Sequence, residues 1–438
     1  MGMTIDPAAE AERVIAAILA DFRSRRHRGV VVDSPPGAGK STLVVRTAVA
    51  LASAGERLII VAQTNEQVDD LTTNLSAALP TGLMIGRLAS STYGRPARLA
   101  ALTNVLVDKD LGNLLSCEIV IATAARWAYV KDRSWPWAIV DEAYQMRSDS
   151  LLAIAPRFER ALFVGDPGQL DPFSVVENDR WRGLSWDPMQ SAVAGLLRTN
   201  PDLPVHRLPV SWRLPASAEK VVATAFYPYT GFRTGAEPGD RELTFGTRAL
   251  GRSPLDALLA EAATTGWGFY ELPARHTPRT DAEAVSTVAD VVRRFLERGA
   301  NARSGNDSRP ITSQRIAVGT AHRDQAAAIR EALSDLPDVT VDTANRLQGR
   351  EYDLTVMLHP LSGRRDATAF HLEAGRLCVL TSRHRQACVV VGRAGIRELL
   401  DAHPSSEPVH LHEPVKFPDG WAANQTVMNH LYAHRVAA

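Results

Sequence analysis

Residues Ser34-Pro35-Pro36-Gly37-Ala38-Gly39-Lys40-Ser41-Thr42 follow directly on the apolar run Val30-Val31-Val32. A strand that runs into a glycine-rich loop and then a helix builds a hollow for phosphate. Gly37 and Gly39 let the backbone curl until successive N–H groups converge. A helix beginning at Lys40 adds its positive N-terminal end. Lys40 reaches the β- and γ-phosphates, and the Ser41 hydroxyl holds Mg²⁺. Pro36, Gly37, Ala38, Gly39, Lys40, Ser41 and Thr42 are thus the expected nucleotide-contacting residues, with ATP and Mg²⁺ the expected cofactors. The loop pattern ordinarily opens with Gly, and Ser34 stands there instead.

Short apolar runs, each ending in a polar cluster, recur after this loop. Leu58–Ala62 leads to Gln63-Thr64-Asn65, Glu118–Ala122 to Thr123, Ala138–Val140 to Asp141-Glu142, and Ala161–Val164 to Gly165-Asp166. Buried parallel strands with polar carboxyl ends are what a doubly wound α/β sheet requires. A second set follows: Arg315–Val318, Val339–Val341, Leu354–Leu358, Leu377–Leu380 and Ala387–Val391 read as strands, with helices over Asp281–Glu297 and Arg323–Leu333. The expected organisation is an N-terminal helix (1–29), a first α/β domain (30–200), a second without a phosphate loop (201–399), and a tail (400–438).

Composition narrows the function classes. Lys+Arg and Asp+Glu are both 49, so any attraction for nucleic acid must be local. Cys117, Cys378 and Cys388 lie apart without paired zinc spacing, which predicts reduced thiols and a cytoplasmic protein. No long apolar run predicts a membrane span.

Asp141 at a strand end can hold Mg²⁺, and the adjacent Glu142 can polarise an attacking water. Gln169, in Gly165-Asp166-Pro167-Gly168-Gln169-Leu170-Asp171-Pro172, can donate to and accept from a γ-phosphate and register its loss. Beyond Thr123, Trp127 and Tyr129 are placed either to stack on bases or to pack in the core. His430 and His434 share a helical face with no third metal ligand beside them in sequence.

Taken together, these boxes resemble superfamily 1 helicases, in the branch that includes the nonsense-mediated-decay RNA helicase and its bacterial relatives. That family has Gly-Pro-Pro-Gly-x-Gly-Lys-Thr, Asp-Glu-Ala-x-Gln and Gly-Asp-x-x-Gln-Leu-x-Pro boxes, similar to residues 34–41, 141–145 and 165–172. Further matches are Leu208, Trp212-Arg213 and Phe226-Tyr227, with Trp for the usual Tyr, and Gly319-Thr320 with Gln325. Val341-Asp342 and Gln348-Gly349-Arg350-Glu351-Tyr352-Asp353 resemble another box, with three extra residues between its halves. Ser382-Arg383-His384-Arg385 fills the place of a Thr-Arg-Ala-Arg box. The resemblance runs from about residue 30 to about 398.

It implies two RecA-like P-loop domains with mostly parallel sheets and an ATP site in the cleft between them. It implies that Gln348, Gly349 and Glu351 touch the nucleotide, and that Thr64, Asn65 and Thr123 hold backbone phosphates of single-stranded DNA or RNA. Arg213 and Arg383 become arginine fingers on the γ-phosphate; outside such a box, Arg383 would read as a salt-bridge partner. The implied activity is an ATP-dependent helicase or translocase moving 5′→3′. A nucleic-acid-stimulated ATPase acting as a switch or clamp with protein partners is the alternative. A small-molecule kinase is disfavoured by the second α/β domain. The chain departs from the family in having no clear adenine-reading Gln ahead of the phosphate loop and little room for accessory domains between Asn65 and Asp141.

Overall fold

The structure, a computed structural model, describes residues 6–170, 172, 187–228, 230–247, 253–277, 279–404 and 419–438. The chain divides into two units: the first is Met1–Pro167 with Asp171–Leu208, the second Gly168–Leu170 with Pro209–Ala438. The units therefore exchange near residue 208 rather than 200, and the tripeptide around Gln169 goes with the second.

The first unit is built on β1 (Gly29–Asp33), β2 (Leu58–Ala62), β3 (Ile85–Leu88), β4 (Val105–Asp108), β5 (Ile119–Thr123), β6 (Trp135–Asp141), β7 (Phe158–Gly165) and β8 (Val205–Arg207). They form one sheet in the order β4-β3-β5-β2-β6-β7-β1-β8, every pairing parallel. Alternating side chains feed two cores. Val30, Val32, Leu58, Ile60 and Ile121 go to one face, and Val31, Ile59, Val61 and Val120 to the other. Burial on both faces explains why these strands read as unbroken apolar runs. Because all strands are parallel, their carboxyl ends share one edge. The phosphate loop, Thr64, Thr123, Asp141 and Asp166 follow or end β1, β2, β5, β6 and β7 there.

In the second unit β9 (Val210–Ser211) pairs with β10 (Arg233–Thr234), and β11 (Arg241–Phe245) joins an antiparallel sheet described below. The main sheet contains β12 (Trp267–Leu272), and the hairpin β13 (Ala300–Ser304) and β14 (Asp307–Pro310) completes the sheet of β11. The main sheet continues with β15 (Ile316–Thr320), β16 (Thr340–Thr343), β17 (Tyr352–Leu358), β18 (His384–Arg393) and β19 (Arg435–Ala437). Its order is β16-β15-β17-β18-β12-β19, again all parallel. Two RecA-like α/β units are thus present, as the sequence implied.

Two local expectations differ from the structure. Leu377–Leu380 lies in the helix Ala374–Thr381, not in a strand. That helix is buried on every side, and a short apolar run carries no period to distinguish the two states. Residues 419–438 form part of the second unit rather than a tail. The helix Gly420–Ala433 packs on the helix Ala216–Phe226, and a side chain at Gly420 would collide with the Leu372 carbonyl. Among the described residues, no helix is long and apolar enough to cross a membrane, and all three cysteines are free and buried.

Candidate functional site

The phosphate loop closes with two glycines in the left-handed region, Gly37 at φ +75° and Gly39 at φ +89°. Gly39 caps the helix Lys40–Ser53, so that helix's open N-terminus stands at the loop. Ser41 and Thr42 are exposed on its first turn. Ser34, in the place of the usual Gly, continues the β1–β7 pairing by donating its N–H to the Gly165 carbonyl at 2.8 Å.

Lys40 meets both acids of the hydrolysis box. Its Nζ donates to Glu142 Oε1 and lies 3.6 Å from Asp141 Oδ1. Burial works against its charge, but Asp141, Glu142 and Asp166 outweigh it and hold the ammonium above its ordinary pKa. Burial pushes the Asp141 carboxyl up, with Glu142 repulsion adding and Lys40 opposing. The other Glu142 oxygen accepts from Gln145 Nε2 at 3.1 Å. Glu142 itself has φ +52°, a conformation that costs a non-glycine residue about 1–3 kcal/mol and persists where surroundings enforce it.

The residues present fit Mg²⁺. Asp141 Oδ1 is buried with no hydrogen-bond partner, which leaves an anionic acceptor directed at this site. Among the described residues, no group of three or more His, Cys, Asp and Glu side chains is placed to hold a metal ion.

A brace behind the site escaped the sequence. Asp33, the last residue of β1, is fully buried and accepts a hydrogen bond from the Tyr144 hydroxyl; Arg207 Nε lies 3.7 Å away. Burial and the Asp33 charge raise the Tyr144 pKa, so the phenol stays protonated and keeps donating. The strand entering the phosphate loop is thereby tied to the turn that carries Glu142. The unlabelled position of the Asp-Glu-Ala-x-Gln pattern gave the only signal, an aromatic hydroxyl beside a strand end.

Farther along the same edge, after β2 beside β6 and after β5 next to it, Thr64 and Thr123 cap helices. Thr64 Oγ1 accepts from Gln67 N at 3.2 Å, and Thr123 Oγ1 from Arg126 N at 3.3 Å. Asn65 Oδ1 accepts from Arg87 Nη2 at 2.8 Å. Trp127 requires a correction. It is 0% exposed, donates Nε1–H to the Ile60 carbonyl at 3.0 Å and packs edge-on to Trp135, so neither ring face is open to a base. Tyr129, two residues on, is 80% exposed.

In the second unit, Gly168–Leu170 is seated in the core. A Cβ on Gly168 would come within 2.6 Å of the Tyr227 ring, and one on Gly375 within 2.5 Å of the Gln169 backbone. Gln169 therefore rests against the helix that leads to the Arg383 box. Arg213 Nε donates to Glu351 Oε2 at 3.1 Å, and Arg385 Nη1 to Glu351 Oε1 at 2.6 Å. Glu351 is thus shared by two arginines, which outweigh burial and lower its pKa. Arg383 is buried, donating to the Val379 carbonyl at 3.2 Å and to Ser382 Oγ at 2.9 Å. Gln348 follows the helix Ala344–Leu347, and Gly349, at φ +76°, turns the chain toward β17.

A family model described as an AAA domain matches residues 16–178, and a second with the same description matches 271–395. With the phosphate loop and its paired acids, these matches define the class: an ATP-hydrolysing P-loop enzyme on two α/β units. Among solved structures, the chain is similar to arterivirus nonstructural protein 10, a helicase, at 15% identity and TM-score 0.43, over 87% of this chain and 61% of that one. A complex of arterivirus nonstructural protein 10 with DNA gives 14%, 0.41, 87% and 63%, and the PRRSV helicase 13%, 0.42, 91% and 58%. The chain thus spans about three fifths of these helicases' length. No curated protein matches the chain.

Proposed function

We propose that this chain is an ATP-driven helicase or translocase on single-stranded nucleic acid, moving 5′→3′. The carrying observation is the cluster of Lys40, Asp141 and Glu142 at the carboxyl edge of a parallel sheet that presents Thr64, Asn65 and Thr123 after β2 and β5 on the same edge. One edge then serves both nucleotide and strand. The order of the sequence boxes, down to the Gln-Leu-Asp-Pro form around Gln169, supports the direction.

In this reading the loop N–H groups and Lys40 grip the β- and γ-phosphates. Nucleotide entry draws Lys40 from Glu142, which frees that carboxylate to orient and deprotonate water. Ser41 and Asp141 would hold Mg²⁺, which when bound neutralises charge on the phosphate oxygens. Gln169, Gln348, Gly349 and Glu351 are the further residues that this reading assigns to the nucleotide. Arg213 and Arg383 stabilise charge that develops on the γ-phosphate. For Arg383 this requires release from the Val379 carbonyl.

ATPase rates with single-stranded DNA, single-stranded RNA, duplex or no polymer test the proposal, followed by unwinding of partial duplexes with a 5′ or a 3′ overhang. Stimulation by single strands and unwinding from the 5′ overhang are expected. A rate indifferent to every polynucleotide would overturn it, and stimulation without unwinding would point to the switch or clamp.

A further inference from the structure

Tyr129 stands between two open clefts on the first unit, and each has a basic lining. One, about 540 Å³, runs along the ends of β3 and β5 and is lined by Asn65, Arg87, Ser90, Lys109, Thr123 and Arg126, among others. The second, about 490 Å³, includes Lys109, Arg126, Lys131 and Arg133, with Asp110 its one acidic residue. Both volumes lie within the range of ligand clefts, about 300–1,000 Å³.

Three observations make this more than a solvated face. The chain has only five lysines, and two of them, Lys109 and Lys131, converge here although the net charge is zero. Arg126 donates to the main-chain carbonyls of Ala89 at 3.0 Å and Lys109 at 2.8 Å, which fixes both walls without neutralising its charge. The wall around Arg87 is fixed too. Its guanidinium bonds Asp69 at 3.2 Å and stacks 3.7 Å over Tyr93, whose hydroxyl also reaches Asp69. Between these held walls stands a large aromatic ring in solvent.

We infer that Tyr129 is a base-stacking ridge, and that Lys109, Lys131 and Arg133 carry the backbone of a single strand past it. The inference rests on the functional reading above and extends it to residues outside the resemblance boxes. An aromatic face flanked by cations suits a single strand, which offers a π-face and a phosphate at every step. A duplex hides the first. Four strand spacings separate β5, which leads to Tyr129, from β1 in the sheet, about 19 Å at ~4.8 Å each, so the ridge lies apart from the phosphate loop.

Fluorescence anisotropy of labelled 20-nucleotide dT and rU strands, without nucleotide, tests it on the full chain. Tyr129→Ala should weaken binding by about five- to a hundred-fold, and Tyr129→Phe should restore it, since stacking needs the ring and not the hydroxyl. Lys109→Gln and Lys131→Gln should each flatten the log affinity–log salt slope by about 0.7. Truncating a ring that is 80% exposed removes no core contact, and unchanged circular dichroism checks this. If the unaltered protein binds no strand, the functional reading itself fails, and this inference with it. If it binds and Tyr129→Ala binds equally well, only this inference is overturned. Loss of a polyglutamate peptide but not of the strand on Lys109→Gln and Lys131→Gln would overturn it in favour of an acidic protein partner.

Discussion

Tyr144→Phe removes one oxygen and keeps the ring, which lies against Gly165. What is lost is the donor to a carboxylate with 0% exposure. Leaving a buried charged acceptor short of a donor costs about 1–3 kcal/mol. Arg207, 3.7 Å from the other Asp33 oxygen, offsets part of the loss and places the expectation near 2 kcal/mol. In a unit of roughly 200 residues each kcal/mol moves the melting temperature by about 2–4 °C, so a drop of about 4–8 °C is expected. Differential scanning calorimetry of the full chain reads it, and a double-mutant cycle with Asp33→Asn assigns it to the pair. ATP turnover should fall along with stability, because the same hydroxyl holds the turn bearing Glu142 to the strand that enters the phosphate loop. A melting temperature within about 1 °C of the unaltered protein, or strict additivity in the cycle, would show that the brace carries no energy.

Other outcomes follow from the same geometry. Lys40→Ala should lose nucleotide affinity and turnover together, whereas Glu142→Gln should retain binding and lose turnover; equilibrium binding beside steady-state rates separates the two. Arg213→Ala should cut turnover by orders of magnitude while sparing affinity, and Arg213→Lys should rescue it poorly, because an ammonium lacks the planar fork. Trp127→Ala should cost about 3–5 kcal/mol in chemical denaturation, a large core truncation that Tyr129→Ala does not share. Burial holds the imidazoles of His359 and His384 down at about 3, against an ordinary 6.5. Their contribution is intact above pH 6.5. Below it the unfolded chain takes up protons that the fold refuses, so each withdraws up to about 1.4 kcal/mol per pH unit toward pH 3. Melting at pH 7.5 and 5.0 should show this acid lability, and His359→Gln should reduce it.

The nucleotide edge was legible because each of its parts is local. Leu58–Ala62 matches its strand residue for residue, and the strand at Ala138–Val140 extends to Trp135–Asp141 around the expected core. Those strands are buried on both faces and end in residues that cannot continue an apolar run. Ile85–Leu88 and Val105–Asp108 were missed because the first contains Gly86 and Arg87 and the second lies half-exposed near the sheet margin. Trp127 and Tyr129 show what sequence leaves undecided. Two aromatics two residues apart have equal claims until the one-turn helix Ala124–Trp127 sends the first under the sheet edge. Tyr144 with Asp33, and Arg385 with Glu351, join residues 111 and 34 positions apart, which no periodicity connects.

The tripeptide Gly168–Leu170 bears on how the chain is made. Strands β1 to β7 are complete when it leaves the ribosome, but its burial partners Leu214, Phe226 and Leu377 are not yet synthesised. Gly375, against which Gln169 packs, follows about two hundred residues later. Domains ordinarily fold in order of synthesis. Leu170 therefore stays unsheltered until the second unit's core forms around it. A fragment ending at Leu208 would keep that exposed leucine permanently.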